Sequence, residues 1–110
     1  MFEKNMSIGF LLDFYGEILN ERKKNILDMY YNEDLSLAEI SDVVGISRQG
    51  VRDAIKKAET ELLFYEEKLG LAQRFSEICR SADKISEMAR QTALPEDLKE
   101  EIQHLASVAQ

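Results

Sequence analysis

Within twenty residues, Ser36 to Ile55, the chain carries a helix start, a helix stop and a second helix start, and few folds accommodate that spacing. Ser36 with Glu39 three residues on can form a capping box, each side chain satisfying the other's free backbone N–H, so a short helix begins near Leu37. Gly45 supplies a residue at ease in the left-handed region, and Ser47 offers the next N-cap, leaving three or four residues between the two helices. That punctuation predicts a tight helix-turn-helix. Ile40, Val44, Ile46, Val51, Ala54 and Ile55 fall where the two helices must meet, and Ser41 is small enough for close approach.

The rest of the chain follows the same 3.6-residue rhythm, with no period-two alternation, so an all-α fold is expected throughout. Ile8, Leu11, Leu12, Tyr15, Ile18 and Leu19 share one face of a first helix. Asn20 can cap a second helix containing Ile26, Leu27, Tyr30 and Tyr31. From Val51 the apolar positions run through Ile55, Ala58, Leu62 and Tyr65 to Leu69, which makes the fourth helix long. Gly70 marks a break. Beyond it Leu71, Phe75, Ile78, Ala82, Ile85 and Ala89 form one stripe. Pro95 suits the first turn of a last helix carrying Leu98, Ile102, Leu105 and Ala109. The expected organisation is a helix-turn-helix domain over residues 1–69 and a C-terminal helical hairpin over 70–110, the hairpin serving packing or dimerisation.

With Val51, Ala54, Ile55 and Ala58 turned inward, Arg48, Gln49, Arg52, Asp53 and Lys56 project from the other side of the fourth helix. Between Ser47 and Lys57 stand four basic residues, Arg48, Arg52, Lys56 and Lys57, against Asp53 alone, a local charge of +3. Arginine pairs bidentately with guanine and glutamine with adenine, while Ser47 and the helix N-terminal amides can hold a phosphate. These are the groups a recognition helix needs in the major groove, so Ser47, Arg48, Gln49, Arg52, Lys56 and Lys57 are the candidate nucleic-acid-binding residues. Gly50 runs against this reading, since glycine inside a helix costs about 1 kcal/mol relative to alanine.

Charge confines any such site to one face. The 110 residues hold 21 Asp and Glu against 14 Lys and Arg, a net charge of −7. Residues 1–35 sum to −3, residues 36–60 to zero and residues 61–110 to −4, so DNA is repelled everywhere except at the fourth helix. Tyr30 and Tyr31, and Phe64 and Tyr65, could be base-stacking platforms, but acidic neighbours at 33, 34, 66 and 67 favour packing.

Catalytic apparatus is not visible. His104 has no cysteine near it in sequence, and Asp97, Glu100 and Glu101 lie at helix-surface spacing, so neither a metal site nor a cofactor is expected. Cys79, beside Ile78 on an apolar stripe, reads as a small core residue and not as a nucleophile with a base. Glu66/Glu67 and Glu100/Glu101 are adjacent pairs pointing about 100° apart, unsuited to acid and base work on one substrate. No glycine-rich phosphate loop occurs. A lone cysteine, the absence of an export-signal pattern and the lack of a long apolar run predict a reduced, cytoplasmic protein with no membrane span.

The stretch from Leu19 to Leu69, above all DLSLAEISDVVGISRQGVRDAIKKAE, resembles sigma-factor region 4, the module that reads promoter −35 elements. Together with the upstream LLDFYGEILNERKKNILDMYYNEDLSLAEI it is similar to the YlxM family of small bacterial helix-turn-helix proteins; the hairpin adds little to the likeness. The resemblance implies an all-α, regulator-like protein of sigma region 4 type, commonly encoded beside the signal recognition particle GTPase and its receptor. It thereby implies a link to that secretion pathway and to signal recognition particle components as partners. By the motif match Arg48, Gln49, Arg52 and Lys56 occupy the exposed recognition positions, with Gly50 where such helices usually carry alanine.

Two functions follow as expectations. The first is a DNA-binding regulatory protein, homodimeric because one short reading head rarely supplies enough affinity. The second is a non-DNA-binding interaction module docking on protein or ribonucleoprotein of the secretion pathway, which the net charge favours. The two seams, Val51 to Leu69 and Leu71 to Ala89, are candidate dimer surfaces.

Overall fold

The computed structural model describes residue 4 and residues 6–109. It contains α1 (Met6–Tyr15), a 3-10 turn (Gly16–Ile18), α2 (Glu21–Tyr31), α3 (Leu37–Val44), α4 (Arg48–Leu69), α5 (Leu71–Arg90) and α6 (Glu96–Ala109), with no strand among the described residues. The all-α expectation holds. The chain divides into two compact units, Met1–Gly70 and Leu71–Gln110.

In the first unit α4 is the central element, packed against α1, α2 and α3. Val51, Ile55, Ala58 and Leu62, spaced by four, three and four residues, are fully buried along its inner face. Around them close Ile8, Leu11, Leu12 and Tyr15 of α1, Ile26, Leu27 and Tyr30 of α2, and Ile40 of α3. At about 25 cal/mol per Å² of apolar area removed from water, this cluster dominates the unit's stability.

Helix starts follow the capping chemistry. Asn20 accepts from the Lys23 N–H at 2.8 Å. Ser36 and Glu39 form the full capping box, at 2.9 and 3.1 Å, and hydrogen bonding from Ser36, first of all from its backbone N–H, holds the Glu39 carboxyl below the usual carboxylate range. Asp34 takes a φ of 56° in the connection between α2 and α3, a conformation short polar side chains tolerate, and pairs with Lys4.

One expected core residue lies outside. Helical spacing puts Ile18 with Tyr15 and Leu19, yet Ile18 is 54% exposed. The helix ends at Tyr15, and the tighter 3-10 turn delivers an extended Leu19 (φ −68°, ψ 153°) into the core. The change of winding turns Ile18 outward.

The second unit is the α5/α6 hairpin. Its helices meet through small side chains, Ala82, Ala106 and Ala109, with Cys79 half-buried against them and its thiol donating to the Ala109 carbonyl at 2.7 Å. Pro95 stands just before the first residue of α6, its carbonyl accepting from the Lys99 N–H at 3.1 Å. No helix among the described residues is long and apolar enough to cross a membrane.

Candidate nucleic-acid interface

The connection between α3 and α4 is three residues long. Gly45 takes φ 75° and ψ 28°, where a Cβ would be strained, and its N–H donates to the Ser41 carbonyl at 2.9 Å. The Ser41 hydroxyl donates to the Ile46 carbonyl, so the small residue at that position ties the end of α3 to the turn. Ser47, extended at φ −67° and ψ 160°, accepts from the Gly50 N–H at 3.0 Å and caps α4. Ile40, Val51 and Ile55 are fully buried where the helices cross, with Val44, Ile46 and Ala54 half-buried around them.

Gly50 has a packing reason. A Cβ there would lie 3.2 Å from the Ser47 Oγ and 3.4 Å from the Ile46 Cδ1. The helix penalty of a glycine is therefore offset by close seating of the turn and its cap.

The six candidate residues occupy the first three turns of α4 and are not equivalent. Ser47, Arg48, Gln49, Lys56 and Lys57 are exposed. The Gln49 amide donates to Asp53 Oδ1 at 3.0 Å, one turn along. That bond orients the amide and leaves its carbonyl and second N–H for another partner. The N–H groups of Arg48 and Gln49 have no acceptor within the helix by construction, which makes the Ser47 end of α4 locally positive. Arg52 is only half exposed: its charge acts on the Tyr30 phenol of α2, opposing the upward shift that burial gives that group. Its long stem shares in packing as well as presenting charge.

Behind this face stands a set of tyrosine and carboxylate contacts that the linear sequence did not disclose. Tyr31 of α2 donates to Glu59 Oε2 at 2.9 Å, and Tyr15 of α1 donates to Glu66 Oε1 at 2.6 Å. Lys23 of α2 reaches Glu61 Oε2 at 2.9 Å, while Tyr65 donates to the other oxygen of Glu61 at 3.0 Å. All three carboxylates project from α4, so α4 is held to its neighbours by polar contacts as well as by the core. The partners that join different helices stand 28 to 51 residues apart and leave no local pattern to read, whereas Tyr65 and Glu61 are four residues apart on α4. Tyr30 is buried, Tyr31 and Tyr65 half-buried, and Phe64 exposed, so the aromatic pairs do not form a common stacking surface.

Burial raises the Glu59 carboxyl above its ordinary range, against the Tyr31 hydrogen bond and the charge of Lys56. A folded-state pKa above the unfolded one means that the ionised carboxylate destabilises the fold at neutral pH, and the cost fades as pH falls through that pKa. Glu59→Gln retains an acceptor for Tyr31 and removes the charge. Solvent screening at this half-exposed position keeps its gain to about 0.5 kcal/mol, a few degrees of Tm at pH 7. The Tm difference from the parent protein is expected to shrink toward zero by about pH 4. A variant less stable than the parent at pH 7 contradicts the assignment.

Among the described residues no three His, Cys, Asp or Glu side chains are placed to share a metal ion. Cys79 and His104 both belong to the second unit, and His104 is exposed.

A family described as "Putative helix-turn-helix protein, YlxM / p13 like", UPF0122, matches residues 2–105, so the match takes in the hairpin as well as the helix-turn-helix. The chain is 52% identical over 77 residues to a UPF0122 protein of Caldanaerobacter subterraneus subsp. tengcongensis, covering 70% of this chain and 66% of that one. It is 53% identical over 75 residues to a UPF0122 protein of Thermoanaerobacter sp. strain X514, covering 68% and 64%. The matched region spans just under two thirds of the length of both relatives. A UPF0122 protein of Clostridium perfringens strain SM101 is 39% identical over 101 residues, covering 91% of this chain and 90% of that protein.

Proposed function

The chain belongs to the UPF0122 family of YlxM/p13-like helix-turn-helix proteins, and from that premise we propose that it is a non-enzymatic regulator which binds duplex DNA through the N-terminal half of α4. The observation that carries this reading is the placement of Ser47, Arg48, Gln49, Lys56 and Lys57. They form an exposed, locally basic face on a helix whose opposite side is fully buried, next to a three-residue turn. Arg48 and Gln49, in the first turn, are the base-reading side chains. Ser47 and the free amides take a phosphate, Lys56 and Lys57 contact the backbone further along, and Arg52 contributes charge from its partly packed position.

With a single short reading head, useful affinity requires two copies on one site. The net charge of −7 favours a second reading, in which the same helix-turn-helix docks on a protein or ribonucleoprotein of the signal recognition particle pathway. Repeated selection from a randomised duplex library separates the two. The DNA reading predicts enrichment of a short motif, repeated as an inverted pair. Enrichment no better than that of an Arg48→Ala/Lys56→Ala protein overturns it.

A further inference from the structure

The one acid among the basic residues of α4 stands at the centre of its exposed face. At about 100° per residue, Gln49, Asp53 and Lys56 fall within about 60° of one another, opposite the side that Val51, Ile55 and Ala58 bury. Asp53 is exposed, and the ion pairs formed among the described residues take other carboxylates, those of Asp34, Glu61, Glu17 and Glu87. Its hydrogen bond comes from a neutral group, the Gln49 amide, at 3.0 Å. On a face that meets a polyanion such a carboxylate weakens attraction to every duplex, and what it can add is discrimination.

The hydrogen bond decides how the amide reads. A carboxylate only accepts, so the Gln49 nitrogen must face Asp53, and Oε1 with the second N–H remain, one acceptor beside one donor. That pair complements adenine, whose N6 donates and whose N7 accepts in the major groove. Guanine offers two acceptors there, O6 and N7, and calls for a second donor that Asp53 has already engaged. The second oxygen of Asp53 is a charged acceptor. It can accept from the amino groups of cytosine N4 and adenine N6, whereas guanine O6 and thymine O4 repel it. With adenine matched by Gln49, cytosine is the base for Asp53.

We propose that Gln49 and Asp53 act as one reading unit, selecting duplex with an adenine facing Gln49 and a cytosine of the neighbouring base pair facing Asp53, which makes Asp53 a specificity-determining residue. The inference rests on the reading of α4 as a duplex-binding face and names the class of sequence that face takes.

Selection from a randomised duplex library with the full chain and its variants, read base by base and followed by anisotropy on the selected and on random duplex, tests it. The parent protein is expected to yield a motif with an adenine and a neighbouring cytosine. Asp53→Ala should lose the cytosine and admit guanine at the adenine position, its discrimination there falling about tenfold, while its affinity for random duplex rises several-fold. Asp53→Asn keeps an acceptor for Gln49 and places an amide nitrogen where the free oxygen was. It should keep the adenine and exchange cytosine for guanine or thymine. A merely structural Asp53 would alter affinity without changing which bases are chosen. An unchanged motif in both variants, or a parent motif without the adenine and cytosine, therefore overturns the proposal and leaves the DNA-binding reading standing. So does an affinity for random duplex that falls when the charge is removed. No binding by the parent protein at low salt removes the DNA-binding reading, and the proposal with it.

Discussion

A Val51→Asp protein is expected to lose the folded first unit. Val51 is fully buried on the inner face of α4, where α3 crosses it. An ionised group left there without a partner costs several kcal/mol. Small domains hold only about 5–15 kcal/mol in total, and a unit of this size lies at the low end. The readout is specific, because all four tyrosines, Tyr15, Tyr30, Tyr31 and Tyr65, belong to that unit. Their near-ultraviolet circular dichroism should collapse to the signal of a denatured chain. A Val51→Asp protein that keeps this signal and a cooperative melt contradicts the crossing of α3 and α4.

The largest expected effect on binding comes from Arg48→Ala combined with Lys56→Ala. Both side chains are exposed and neither contributes to the core, so stability should change by no more than about 0.5 kcal/mol. A lost bidentate guanine contact costs about 1–3 kcal/mol and a lost phosphate contact adds to it, giving a drop in duplex affinity of about 100-fold. Arg52→Ala is a different experiment. Half-buried beside Tyr30, Arg52 links charge to packing, so its removal should lower the melting temperature along with the affinity. Equal melting temperatures for Arg52→Ala and the parent protein would place its whole side chain in solvent.

The parts of the fold written in local chemistry were legible in advance. Ser36 with Glu39, Gly45, Ser47, Asn20 and Gly70 act within four residues of themselves, and each sits at the helix end its residue type implies. Four features were not legible, for distinct physical reasons. Ile18 leaves the core because a 3-10 turn changes the angular step per residue, which a 3.6-residue count cannot anticipate. The Tyr31–Glu59 and Tyr15–Glu66 contacts join residues whose proximity exists only once α4 lies across α1 and α2.

The stripe from Leu71 to Ala89 is split between two directions. Its alanines turn to α6 and its isoleucines turn away, a division that composition at the same spacing does not reveal. At the candidate interface the residue types on α4 were evident, but the depth of Arg52 was not. A position next to the buried Val51 can lay a long side chain back over α2 or extend it outward.

The central claim, that the Ser47 end of α4 is a duplex-binding face, is tested most directly by fluorescence anisotropy on duplex DNA across a salt series. Each neutralised phosphate contributes about −0.9 to the slope of log affinity against log salt. The parent protein should bind at low salt with a slope set by the basic residues of α4. The Arg48→Ala/Lys56→Ala protein should bind more weakly and with a shallower slope. Absence of binding at low salt, or a slope and affinity identical in the two proteins, would contradict the claim and move α4 from DNA to a protein partner.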